Sequence, residues 1–583
     1  MNVRYAVGIV FFFTITTVFA AKQKNMGATR AASMATQIVN TGISLNQQIS
    51  SSSLNSAVTA SSERGGSGGQ FVITKSGRYF LSTDILAAPA ASNIPCIYIN
   101  ASDVVLDLGG KTLTLSTTTN QKNSCAIEVA ANKTGVTIMN GTINGRAGTS
   151  SVYTLTGIKF GSSVSNVLLD NVHVVNFGYD GLAFGAGSSD VILNNIHTYN
   201  IGFNARSYAR GLAFVGTSSS ACNDITILDS NFNKTNSSSE DLQIYGIYAT
   251  YCNHIKMHNV NISNISNSMY TTGGIVKTAG PIRGIYLASC TGVECTNIKV
   301  LRCLSEVTSG SSAYAYPAPT IVGFDLSAST GCKFENCVAN SAYSTHFTTS
   351  TYGFRLASSS HGNNFINCEA KNNLGAGTSC AFQLSASSFN NFQNCQAISN
   401  GGASHTTYGF QSGVDLTTTC SSNFFKQCKA NSNRATVGHV YGFALKAEGS
   451  SAIQQCEASA NIASGTCYGI ALQNTCLKNV VEYNNLYANV GTVGQYGFKD
   501  FAGDSTTMLR GNVAFGHGAT FSGGDASLTD SGSMNYFLRY TEATGQMNIQ
   551  LLIKEGDIAN MNAFEIGSPN WFNFSILHNS IAG

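Results

Sequence analysis

The chain has 583 residues, only 10% of them charged, and a net charge of +3. That balance leaves no electrostatic footprint for nucleic-acid binding. Its 59 glycines and 6 prolines suit closely stacked turns rather than helices.

Residues 1–20 read as a signal peptide: Arg4 supplies the positive end, Ala6 to Thr17 the apolar run, and Val18-Phe19-Ala20 a cleavage site before Ala21. The run is short for a membrane span, so export to the medium or the cell envelope is expected, with no integral span after cleavage. Residues 21–70 are rich in Ser, Ala, Thr and Gln. Ile38, Val39, Ile43, Leu45, Ile49 and Leu54 fit a short amphipathic helix, and a disordered tether before Gly65-Gly66-Ser67-Gly68-Gly69 fits equally well. A helix leading into a solenoid is a trimerisation device, so monomer and homotrimer both stay open.

From 71 to 520 one motif recurs. Tyr352-Gly353-Phe354-Arg355-Leu356 returns as Tyr408-Gly409-Phe410, Tyr441-Gly442-Phe443, Tyr468-Gly469-Ile470 and Tyr496-Gly497-Phe498, with looser copies from Gly157-Ile158 to Gly323-Phe324. Apolar and variable positions alternate, which is strand periodicity. A second pattern follows each copy, apolar-x-apolar-x-Asn-small-x-apolar, with the Asn at 140, 297 and 336. Asn at a turn tolerates left-handed backbone, and stacked copies can bond each other. Fourteen copies of the first strand run from Ile97 to Phe498. Self-similarity at this period predicts an all-β parallel β-helix of about fourteen coils, roughly 65 Å long at about 4.8 Å per coil. Residues 521–583 leave the pattern: Met534–Tyr540, Met547–Lys554 and Trp571–Leu577 read as ordinary strands of a carboxy-terminal cap or docking segment.

These repeats, with the entry strands Ile73–Leu81 and Val104–Leu113, resemble the pectin lyase-like right-handed parallel β-helix superfamily over about residues 70–520. The resemblance implies a single solenoid. It implies no one activity, since the superfamily holds lyases, hydrolases, epimerases, tailspikes and adhesins. It places substrates along the outer face of the first strand. The outward residues there are Tyr98, Glu128, Lys159, Ala183, Ala213, Tyr248, Tyr286, Asp325, Arg355, Gln383, Gln411, Ala444, Ala471 and Lys499. Tyr248, Tyr286, Asp325, Arg355, Gln383 and Gln411 are the expected substrate-binding set, because tyrosines pack on sugar rings and Asp, Arg and Gln bond hydroxyls or carboxylates.

The residue before the strand glycine is Asp180, Arg210, Tyr245 and Arg283 in four consecutive coils, where the preceding turns also lengthen. Long loops gathered on a rigid scaffold are where binding resides. An Arg beside a carboxylate and a Tyr suits proton abstraction next to a uronate, so these four are the candidate catalytic residues; a structural ion pair is the competing reading. Phe177-Gly178-Tyr179-Asp180-Gly181 is similar to the Tyr/Asp motif of alginate epimerase modules but lacks the following His. Gly516-His517-Gly518 echoes polygalacturonase-type hydrolases without their paired aspartates. No acids stack on the first-strand face as calcium-dependent pectate lyases require, and His173 with His197 has no third ligand. Neither metal nor cofactor is expected.

Cys337, Cys368, Cys395, Cys428 and Cys456 share one register, just after the turn Asn or Gln. They read as an inward column of mostly free thiols, its spacing wide for disulfide geometry. The expected function is glycan binding on the first-strand face, with lyase or hydrolase activity left open. The alternative is an adhesin or tailspike-like protein without turnover.

Overall fold

The computed structural model describes residues 71–515 except 88–93, 116–123, 146–153, 203–207, 238–242, 270–279, 308–319, 345–348, 403–404, 415–419, 447, 474–475, 477, 502–507 and 511. It also describes short strands at Gln47–Ile49, Val58–Ala60, Asn535–Thr541, Gln546–Leu552 and Phe572–Ile576.

Every described element is a strand, and within the repeats each pairs in parallel with its equivalent one coil away. The chain is a parallel β-helix. The recurrent motif forms one continuous sheet of sixteen strands, two more than the sequence count because Val58–Ala60 and Phe71–Ile73 extend it at the start. Two further ladders close the cross-section. One runs through Cys222–Leu228, Cys252–His258 and Lys333–Glu335, the other through Asn231–Ser237, Asn261–Met269 and Val338–Asn340. We call the three faces the first, second and third sheets.

The turn between the second and third sheets is the predicted asparagine corner. Asn140, Asn297 and Asn336 have φ of 57°, 56° and 53°. This is left-handed backbone that Asn adopts more readily than most residues. The column is bonded along the solenoid axis: Asn195 Nδ2 donates to Asn171 Oδ1 (3.0 Å) and Asn367 to Asn336 (3.2 Å).

The motif glycine answers a steric demand. A Cβ at Gly353 would lie 2.5 Å from Ala370 Cβ and 2.7 Å from the Ala381 carbonyl, so any side chain would push the first sheet off the third. The phenylalanine after it points inward. Phe324, Phe354, Phe382, Phe410 and Phe443 stack at centroid distances of 4.5, 4.8, 4.7 and 4.8 Å. A second stack, Phe334–Phe365–Phe392–Phe425, meets it edge to face, the geometry aromatic quadrupoles prefer.

All seventeen cysteines are free and buried. In the predicted column each thiol donates inside the core, as Cys395 does to the Phe365 carbonyl (3.4 Å) and Cys428 to that of Phe392 (3.3 Å). A further column was not foreseen. Asn373, Asn400, Asn433, Asn461 and Asn489 are fully buried, each Nδ2 donating to the next Oδ1 at 2.8, 3.0, 3.0 and 2.7 Å. Buried amides are stable only when paired in this way.

At the amino end, where the sequence offered a helix or tether, residues 47–49 form a strand pairing with Tyr79–Leu81. Asn535–Thr541 continues the ladder from Val513–Phe515, and its antiparallel partner Gln546–Leu552 pairs in turn with Phe572–Ile576. Residues 1–20 lie outside the described residues, and among the described residues no helix is long and apolar enough to cross a membrane.

Candidate functional site

The outward row read from the sequence is in register along the whole first sheet: Tyr98 pairs with Glu128, and so on through Tyr248–Tyr286, Asp325–Arg355 and Gln383–Gln411 to Ala471–Lys499. Beside it runs a second row, Asp180–Arg210–Tyr245–Arg283–Val322–Tyr352. All ten candidate residues therefore lie on two adjacent rows of one face.

Their contacts form two charge clusters. Arg210 grips Asp180 bidentately, Nε to Oδ1 at 2.7 Å and Nη2 to Oδ2 at 2.9 Å, with both side chains largely buried. Its guanidinium lies 4.0 Å from the Tyr208 ring centre and 5.0 Å from that of Tyr248. Burial alone would lower the Arg210 pKa; the Asp180 carboxylate outweighs it and moves the pKa upward. The second cluster is centred on Asp325, which is fully buried although it belongs to the outer row. Arg355 grips it bidentately (Nε to Oδ1 2.9 Å, Nη2 to Oδ2 2.7 Å). Arg283 Nε approaches Oδ2 to 2.5 Å as an ion pair without hydrogen-bond alignment. Asp325 and Arg355, expected as separate substrate-binding residues, thus belong with Arg283 to one triad around a buried carboxylate. Arg283, expected to act beside Tyr245, is shared between that residue and Asp325.

Tyr245 links the clusters. Its hydroxyl donates to Gln243 Oε1 and accepts from Arg283 Nη1 (2.9 Å). Burial pushes its pKa up to about 12. It therefore holds its proton in the resting structure at ordinary pH. Tyr248 and Tyr286 are half-buried, with ring centres 5.6 Å apart and each near Tyr245 (4.9 and 5.5 Å). Gln383 donates to Gln411 Oε1 (3.1 Å), and both are buried, so they extend the face as a mutually paired step.

Sequence reasoning missed Gln243, Tyr208 and Tyr352. Tyr352 lies with its ring centre 5.6 Å from the Arg355 guanidinium. The signal was present, since Tyr352 heads the motif itself. The lengthened turns, 200–210, 233–245, 264–283 and 306–322, fall in part on residues outside those described, and Gly516-His517-Gly518 lies wholly outside them. His173 and His197 are in register with ring centres 4.8 Å apart. Burial, then the neighbouring His173, holds His197 below its ordinary pKa. Among the described residues no three His, Cys, Asp or Glu side chains gather as a metal site.

The Asp180–Arg210 cluster is balanced, and two arginines on Asp325 leave the second cluster with one excess positive charge. Both aspartates are engaged by arginines through paired charge-assisted hydrogen bonds.

No protein-family model and no curated protein sequence matches the chain. Solved structures similar to it include the periplasmic alginate epimerase AlgG (9% identity, covering 78% of this chain and 79% of that one, TM-score 0.31). Another is PfbA, a surface adhesin of Streptococcus pneumoniae (11%, 72% and 84%, TM-score 0.30). A third is the A-module of the Azotobacter vinelandii mannuronan C-5 epimerase AlgE4 (12%, 75% and 86%, TM-score 0.27). Likeness at this level transfers no residue roles, and the site is read from this chain alone.

Proposed function

We propose that the protein binds an acidic polysaccharide along the outer face of the first sheet, between Asp180 and Gln411. The observation that carries this reading is the uneven charge of the second cluster, two arginines on Asp325, next to the half-exposed rings of Tyr248 and Tyr286. The excess charge attracts a carboxylate or sulfate, and the rings pack on sugar faces. The engaged aspartates and the proton-holding Tyr245 favour retention over turnover, as in an adhesin. Export rests on residues 1–20.

The test measures retention of oligogalacturonate and of neutral dextran, together with ultraviolet absorbance of unsaturated uronates and new reducing ends. Wild type is expected to retain the acidic chain and release no product. Tyr248→Ala with Tyr286→Ala should weaken retention by about tenfold, the equivalent of ~1.4 kcal/mol. Unchanged retention by that variant sinks the groove. Product formation abolished by Asp180→Asn would make it an enzyme.

A further inference from the structure

A cleft of about 520 Å³ lies on a different face, the outer surface of the third sheet; Tyr199, Asn233, Lys234, Asn264, Arg302 and Leu304 line much of it. Its two cations occupy an unusual backbone position. The third-sheet strands bend at a column of left-handed residues that begins with Asn176 and Asn200 and continues through Lys234, Asn264 and Arg302, with φ between 54° and 63°. Asn200 donates to Asn176 Oδ1 (2.7 Å) and Asn176 to Asn144 (2.9 Å), an asparagine ladder like the one at the preceding corner. Lys234 and Arg302 interrupt it. Further along, Ser341, Ser399 and Ala460 merely leave the column small. Within this column only 234 and 302 place a long cation where left-handed backbone disfavours it, and local strain of this kind gathers at functional sites.

Three further facts fit a ligand. Among the described residues no carboxylate pairs with Lys234 or Arg302. Tyr199 is 45% exposed and Lys234 Nζ lies 5.2 Å from its ring centre. The Asn236 amide oxygen, on the cleft wall, is buried with no hydrogen-bond partner among the described residues. That orphan acceptor calls for a hydroxyl donor, which a sugar supplies and a bare oxyanion does not.

We propose that this cleft is a second carbohydrate subsite, for a sugar bearing a carboxylate or sulfate. The anionic group sits between Lys234 and Arg302, two coils and roughly 10 Å apart, the ring packs on Tyr199, and a hydroxyl donates to Asn236. The proposal does not depend on the first-sheet groove.

The decisive variant is Lys234→Asn with Arg302→Asn. Asparagine suits the left-handed positions and rebuilds the ladder, so the melting temperature should stay level or rise while the ligand is lost. Affinities are measured for oligogalacturonate, dextran sulfate oligosaccharide, inorganic sulfate and a short DNA, in wild type and in the Tyr248→Ala/Tyr286→Ala background. The expected result is that, in the Tyr248→Ala/Tyr286→Ala background, the acidic sugar preferred by wild type loses at least about tenfold in affinity, with inorganic sulfate and DNA bound far more weakly. Which sugar is preferred separates carboxylate from sulfate. Sugar affinity left unchanged by Lys234→Asn/Arg302→Asn in the Tyr248→Ala/Tyr286→Ala background overturns the site, and DNA bound as tightly as sugar overturns its carbohydrate character. If the Tyr248→Ala/Tyr286→Ala protein binds like wild type while this variant fails, the first-sheet groove falls and the third-sheet cleft stands.

Discussion

The two halves of the solenoid share one register and fill it differently. From Ile97 through Ile127, Ile158, Leu182, Leu212, Ile247 and Ile285 the inward position nearest the motif glycine is aliphatic, with a short Phe160–Phe184–Phe214 stack at the next inward position; from Phe324 to Phe443 that nearest position is phenylalanine. Equivalent residues are 30 apart at Asp180–Arg210 and 38 apart at Tyr245–Arg283, then settle to 28 at Asn461–Asn489. The thiol column and the Asn373–Asn489 ladder belong to the regular half. The buried ion pairs, the exposed tyrosines and the cationic cleft belong to the first half and its boundary with the second. A repeat held by stacked rings and bonded amides tolerates little variation. Coils packed mainly by aliphatic side chains, with only one short ring stack, can lengthen their turns and carry charge, so binding chemistry sits where the core is less exacting.

The largest expected effect breaks the scaffold side of this contrast. Phe382→Ala removes a ring stacked on both sides and should cost about 3–5 kcal/mol in chemical denaturation. A loss below ~1 kcal/mol would mean that the ring ladder is no more demanding than the aliphatic core.

The next tests the charged side. Asp325→Asn keeps shape but strips Arg283 and Arg355 of their shared counter-charge. Partial exposure of both arginines softens the loss to about 3 kcal/mol. A neutral result would show that the guanidiniums turn to solvent and that the triad is not a fixed cluster.

The smallest effect has the opposite sign and sits in the regular half. Glu448 is buried, accepting from Asn423 Nδ2 (2.8 Å) and the Ser451 hydroxyl, with no geometric partner for Oε2 among the described residues. Burial pushes its pKa up, against the pull of those hydrogen bonds. The folded carboxyl therefore keeps its proton where the unfolded one has lost it. Its stabilising contribution is present at low pH and disappears as pH rises through the raised value. Glu448→Gln should match wild type near pH 4 and exceed it by about 1 kcal/mol near pH 8. Parallel stability curves would mean that the carboxylate is accommodated charged.

Much of this was legible in the sequence, because a parallel β-helix repeats one register. Asn140, Asn297 and Asn336 marked the corner, the cysteines after Asn336, Asn367 and Asn394 marked the core, and period-two alternation gave the outward row residue by residue. Pairing across coils was harder to read. Arg283 stands opposite Val322 on its row but reaches diagonally to Asp325, a choice of rotamer that spacing does not encode. The buried amide ladder had a signal, the asparagines at 373, 400, 433, 461 and 489 in one phase, hidden by the general abundance of Asn. Residues 47–49 gave no strand signal, because an isolated three-residue strand owes its existence to the edge it pairs with.

The buried thiols set the terms on which the molecule can fail. While folded, it needs no disulfide and is indifferent to the redox state around it. Once opened in an oxidising medium, seventeen thiols are released into a chain with no native pairing to guide them, and random cross-links block the way back. Its lifetime there is then a matter of how rarely it opens rather than of how favourable folding is. Thermal scans should accordingly depend on heating rate in air and become reversible under a reductant.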